Sequence, residues 1–286
     1  MDPLTTPAFG VTVERDVPYA TAEGYWTHAP VGDILSVVKL FFRNYRPKPV
    51  TLEMDIYRPE GDKAEKRPLL LMMHGGSFFF GSKDEPGQAG WCRHFAFQGY
   101  VAVSINYRIG FHACKKSFRK AELRALEDAY AALAYLLGRD DLRIDPDRIF
   151  AAGTSAGAIT ALSLAFRKGG PRIRAVGNLW GSVHDLSVLE NASVPILSFQ
   201  SVNDPVMPYD AGYPVKALSL VTPLFTDRMY GTHAIHEKAL SIGLRSEHHP
   251  CEERRHRLHL DDDMQYTPRF YEIRDAMVKF FAEEME

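Results

Sequence analysis

Short apolar runs recur along the chain, each closing in a turn or a polar cluster: PLLLMMH (68–74), YVAVSIN (100–106), RIFAAG (148–153), IRAVGNLW (173–180) and VPILSFQ (194–200). Runs of this length without polar alternation are the pattern of strands buried on both faces of a parallel sheet. VTLEMDIY (50–57) alternates apolar and polar instead, as a half-buried strand does. Helical spacing covers roughly 87–98, 119–138, 156–167, 232–243 and 268–284. Strands alternating with helices predict an α/β fold, a mostly parallel central sheet with helices on both faces. RNYRPKP (43–49) and PEGDKAEKRP (59–68) are polar connectors, and no long linker interrupts the pattern, so one domain over 1–286 is expected. Residues 1–45 fit the pattern less well. DILSVVKLFF (33–42) reads as a buried strand or as a short helix over the sheet, and 1–45 is read as a lid or sheet-edge extension, with plain packing as the alternative.

Composition narrows the function classes. A formal net charge of −2 with no long single-sign block argues against nucleic acid as a partner, because neutralising phosphates takes a clustered basic face. Cys92, Cys114 and Cys251 are widely spaced without a CxxC pair, which points away from a disulfide framework and from zinc. MDPLTTPAFG carries no signal-peptide pattern, and no apolar run approaches the roughly 18–20 residues of a membrane span. A soluble, cytoplasmic protein is expected on the sequence as given, or a periplasmic or secreted one if an export signal precedes it.

The chemistry sits at RIFAAGTSAGAIT (148–160). A strand running into a helix through Gly-Thr-Ser-Ala-Gly fits a nucleophile elbow. Gly153 and Gly157 let strand and helix approach closely, while Ser155 takes a strained turn that lifts its oxygen above the sheet. The Ala156 amide, at the helix N-terminus, points to the same place and can donate to an oxyanion. The plainer alternative is that Ser155 caps the helix. In LLLMMHGGSFFFGSKDE (69–85), a strand ends in two glycines that allow close backbone approach to a ligand. The amides of Gly75, Gly76 and Ser77 are then oxyanion donors. His74 is read as ordering this loop rather than as the base, and Phe78 to Phe80 either line an acyl pocket or fill the core.

HGGSF, then NYR (106–108), then IDPDRIFAAGTSAG (144–157) resemble the α/β-hydrolase-fold carboxylesterases, on the branch with hormone-sensitive-lipase-like enzymes and small bacterial esterases. The resemblance runs from about Leu52 to the C-terminus. Ser77 stands where many relatives have a third glycine and Thr154 where many have Asp or Glu, and neither change removes a backbone amide. The resemblance implies that Asp204, in VPILSFQSVNDPVMPY (194–209), is the acid, with Asp185 in WGSVHD as its competitor. Within SEHHPCEERRHRLHL (246–260) it implies His256 as the base and His259 as runner-up, with His248 and His249 in the last strand. Arg254 and Arg255 replace the usual glycines, and a guanidinium pair beside an imidazole disfavours its protonated form. The HxxH of His256 and His259 is followed by Asp261 to Asp263, but no third well-spaced ligand completes a metal site.

The order Ser, Asp, His is that of α/β hydrolases. The implied activity is a serine esterase acting on small-molecule carboxylic esters, short-chain or aryl, through an acyl-enzyme and without metal or organic cofactor. A serine peptidase of the same fold and a non-catalytic binding protein are the alternatives. Only HDLSVLENAS (184–193) separates two of the strands, which leaves no room there for a large cap and favours an open site.

Overall fold

The computed structural model describes residues 8–29, 46–112, 114–190 and 193–285; DILSVVKLFF lies outside them. Its centre is an eight-stranded sheet in the order β1-β2-β4-β3-β5-β6-β7-β10. The strands are β1 (Gly10–Gly24), β2 (Lys48–Glu60), β3 (Arg67–Met73), β4 (Val101–Ile105), β5 (Ile144–Thr154), β6 (Ala175–Leu179), β7 (Ile196–Ser201) and β10 (Ser246–Cys251). β1 pairs antiparallel with β2, and β2 antiparallel with β4; every pairing from β4 to β10 is parallel. A second, two-stranded sheet joins β8 (Ala211–Gly212) to β9 (Met229–Tyr230).

Five helices are described: α1 (Pro86–Phe97), α2 (Lys115–Leu137), α3 (Ala156–Phe166), α4 (Thr232–Ser241) and α5 (Pro268–Glu283). They cover both faces, and β3 shows why its apolar run does not alternate. Leu69, Leu71 and Met73 pack into one core with Ala125 and Ala129 of α2 and Leu162 of α3. Leu70 and Met72 pack into the other with Trp91 and Phe95 of α1 and Met277 and Phe281 of α5. With both faces covered, a period-2 strand has no face left to be polar. Truncating a core leucine such as Leu71 to alanine typically costs about 2–5 kcal/mol.

β3 lies between β4 and β5, so the chain leaves it on one side and later returns on the other. Ligands of open α/β sheets bind at such a switch point, beyond the carboxyl ends of the strands. The segments that follow β3, β5, β7 and β10 all emerge at that end, because these strands are mutually parallel.

Candidate active site

At the end of β5, Ser155 adopts φ 51° and ψ −115°, and α3 starts at the next residue. A β-carbon in this region is strained, so the conformation needs support from its surroundings. That support comes from close backbone packing. A Cβ on Gly153 would overlap the backbone of Gly157, and a Cβ on Gly157 would overlap the Met73 carbonyl of β3. The Ser155 amide donates to the Leu179 carbonyl at 2.9 Å, and no side-chain hydrogen bond caps α3, so the serine oxygen is left for another partner.

That partner is His256. Its Nε2 lies 2.9 Å from Ser155 Oγ. Its Nδ1 lies 2.8 Å from Asp204 Oδ2 and 3.0 Å from Oδ1. A carboxylate only accepts, so Nδ1–H donates to Asp204, and Nε2 is left to accept from the serine hydroxyl. Asp204 is fully buried after β7. Its Oδ1 accepts from the Val206 amide at 2.7 Å and the Met207 amide at 3.1 Å, and its Oδ2 from Gln200 Nε2 at 3.3 Å. His256 follows β10, and the turns after β7 and β10 are joined by Val202 N donating to Cys251 O at 2.9 Å and by Ser201 Oγ donating to Glu253 O. The two arginines before His256 do not act as a pair: Arg255 turns to Asp262 at 2.6 Å, and Arg254 is exposed.

The loop after β3 is held from beneath. Tyr107 Oη donates to the His74 carbonyl at 2.6 Å, and the two rings stack with centroids 4.3 Å apart. Burial lowers the His74 pKa from 6.5 to about 4, against the hydrogen bond to the Gly75 carbonyl, which raises it. The neutral ring donates Nδ1–H to Gly75 O at 2.7 Å. Gly76, at φ 111°, lets its carbonyl accept from the amides of Phe79 and Phe80, and Ser77 and Phe78 follow with positive φ. The rest of the NYR motif anchors neighbours: Asn106 Oδ1 accepts from Lys83 N at 2.7 Å, and Arg108 pairs with the buried Asp128 of α2.

Two cavities meet at the serine. One, of about 170 Å³, is apolar and bordered by Ser77, Ser155, Ala156, Phe78, Phe118 and Phe225. The other, of about 380 Å³, is bordered by Gly75, Gly76, Ser155, Trp180, His256 and Arg257. The glycine loop, Ala156 and the serine therefore share walls. The aromatic run divides: Phe78 borders the first cavity, Phe80 the second, and Phe79 packs edge-on against Trp26 in the core. Part of the first cavity's roof comes from residues 206–229, a stretch between β7 and α4 that carries β8, β9 and two 3-10 turns and that apolar periodicity did not reveal.

The other candidates go elsewhere. His259 Nε2 donates to Glu85 Oε1 at 2.8 Å, and its ring is stacked between Trp91 and Trp180. Asp185 caps a 3-10 turn, accepting from the Ser187 amide at 2.9 Å. His248 and His249 lie in β10, against Thr232 and Glu247. Among the described residues no three His, Cys, Asp or Glu side chains are placed to hold a metal, and His256 and His259 face separate carboxylates. Two residues of the site escaped the sequence reading. Trp180 stands edge-on to His256 at 6.4 Å. Gln200, a lone amide closing an apolar strand, carried a usable signal, since a buried amide must find partners.

Comparison with known proteins agrees with this architecture. The BD-FAE family model matches residues 54–176. Gut esterase 1 of Caenorhabditis elegans is 32% identical over 117 residues, 40% of this chain and 20% of that protein. Esterase LipI of Mycobacterium tuberculosis is 35% identical over 152 residues, 49% of this chain and 44% of its own length. The gibberellin receptor GID1 of Oryza sativa is 30% identical over 123 residues, 41% of this chain and 32% of the receptor. The matches thus span less than half of these relatives. Among solved structures, Thermogutta terrifontis esterase 2 phosphorylated by paraoxon superposes with a TM-score of 0.61 at 20% identity, over 82% of this chain and 89% of that one. The chain has the α/β-hydrolase fold. Its sequence resemblance is to the carboxylesterases of that fold. Among the described residues, no helix is long and apolar enough to cross a membrane.

Proposed function

We propose that the protein is a serine carboxylic ester hydrolase. The observation that carries the reading is the continuous line from Asp204 through His256 to Ser155, at 2.8 and 2.9 Å. In this mechanism Ser155 attacks the ester carbonyl as His256 takes its proton, and Asp204 keeps the ring in the correct tautomer and stabilises the imidazolium. The oxyanion is held by amides of Gly76, Ser77 and Ala156, with Gly75 shaping the approach. His256 returns the proton to the departing alcohol, then activates the water that hydrolyses the acyl-enzyme. The apolar cavity of about 170 Å³ supports a short or aryl acyl group, and the wider cavity supports an alcohol partner.

p-Nitrophenyl acetate and butyrate hydrolysis tests the reading. Losing a member of such a triad costs on the order of 10⁴–10⁶ in turnover, so Ser155→Ala and His256→Ala should both fall to background. A second reading, a small-molecule-binding protein with an idle triad, draws on the likeness to a gibberellin receptor. Wild-type turnover no greater than that of Ser155→Ala would favour it.

A further inference from the structure

The acyl-side cavity ends against α3. Ile159 stands in the first turn of α3, its amide donating to the carbonyl of the N-cap Ser155 at 3.0 Å, and both residues border the acyl-side cavity. Beyond Ile159 lies a third cavity, of about 310 Å³, open to solvent, bordered by the apolar Leu126, Leu162, Phe166 and Val183 and also by Arg119, Arg167, His184 and Asp185. Ile159 borders this cavity and the acyl-side cavity, and it is the one residue common to the two linings. Its own side chain is nearly buried, at 7% exposure, so its four carbons fill the space between them.

We infer that Ile159 sets the acyl-chain length this site accepts, by closing the short acyl cavity off from a second cavity whose apolar part, along Leu126, Leu162, Phe166 and Val183, can take the distal part of a longer chain. The inference rests on the ester hydrolase reading. With Ile159 in place the acyl cavity is close to the size of a 150 Å³ engineered cavity that holds a benzene ring. An acetyl, butyryl or single-ring acyl group fits such a space, and an octanoyl chain does not. Removing the branched side chain joins the cavities, and each further methylene buried then gains about fourfold in kcat/KM, the factor equivalent to the ~0.8 kcal/mol of a buried CH₂. The reacting groups are kept, because the Ile159 side chain is not part of the hydrogen-bonded line Asp204–His256–Ser155 and its backbone bond to the Ser155 carbonyl survives truncation.

The test is kcat/KM for p-nitrophenyl acetate, butyrate and octanoate with wild type, Ile159→Ala, Ile159→Val and Ile159→Phe. The octanoate-to-acetate ratio should rise at least tenfold in Ile159→Ala and less in Ile159→Val, which keeps most of the packing. Ile159→Phe should lower the butyrate-to-acetate ratio. Ser163 borders the far cavity alone and is exposed, so a Trp there fills that cavity without disturbing the core. Ile159→Ala/Ser163→Trp should return to the wild-type ratio, an effect that general loosening of the site would not produce. Turnover of acetate by wild type with an unchanged ratio in Ile159→Val and Ile159→Phe overturns the role of Ile159 and leaves the hydrolase reading standing. Absence of turnover on every ester overturns both.

Discussion

Gln200 Nε2 donates to Asp204 Oδ2 at 3.3 Å, on the carboxylate oxygen that His256 approaches most closely. The same amide nitrogen donates to the carbonyls of Met207 and Pro208, and its oxygen accepts from the amide and hydroxyl of Thr232. One buried amide therefore ties β7, the Asp204 turn and the start of α4 together. Gln200→Met keeps the volume and removes every one of these bonds. Turnover should fall about ten- to a hundredfold, the scale of a small misplacement of a catalytic group, with KM little changed. A fall in KM-related binding alone would place Gln200 outside this role.

Glu85 and His259 form a second pair, separate from the proposed triad. Glu85 caps α1 by accepting from the Gln88 amide at 2.9 Å. Burial would raise its pKa, but the attraction and hydrogen bond of His259 outweigh that and lower it. His259→Ala should therefore cost about 1.5–3 kcal/mol of stability, the worth of a hydrogen bond to a charged group, while Ser155 keeps its reactivity. Urea unfolding and ester hydrolysis on the same preparation separate this from His256→Ala, in which activity is lost and the fold stays.

His74 gives the protein an acid-sensitive element. Its folded pKa, about 4, is below the ordinary 6.5, so the unfolded chain binds the proton more readily. Its contribution is complete above pH 6.5 and is lost as pH falls towards 4, at about 1.4 kcal/mol per pH unit within that window. His94 and His248, also lowered by burial to about 4, add to the slope in urea melts at pH 7.5, 6 and 5, and His74→Phe, which keeps an aromatic ring against Tyr107, should remove the His74 share of it. Equal slopes in the two proteins would contradict the assignment.

Gly157→Ala tests the elbow itself. The added methyl would overlap the Met73 carbonyl, and neither backbone can retreat without moving β3 or α3. The cost should reach or exceed the roughly 1–3 kcal/mol typical of overpacking, seen as a lower unfolding midpoint and lost activity together. Gly138, with φ −82° and only ordinary contacts at 3.5 Å around an added Cβ, is the comparison site.

The sequence pattern revealed the parallel strands because both faces of β3 to β7 are covered, which leaves apolar runs of the strands' own length. Most helices were legible because each buries one stripe; α3, buried on every side over its first two turns, was legible from its apolar run after the serine. β1 was not, because it lies at the sheet edge, paired on one side, with register shifts near Asp16 and Pro18 that break any alternation. Residues 206–229 were not, because short turns carry no periodic signal. The serine was readable from its two glycines, whose need is local and steric. The histidine was not separable from its neighbours by spacing: His256 and His259 differ only in which carboxylate the fold brings to each, one from β7 and one from the turn before α1.

Labelling by a fluorophosphonate probe, read as intact mass, tests the central claim most directly, since only an activated serine reacts. Wild type and His259→Ala should gain one adduct, Ser155→Ala none, and His256→Ala should react at least a thousandfold more slowly, as loss of the base from a triad implies. An unlabelled wild type, or a Ser155→Ala variant that labels as wild type does, would contradict the account.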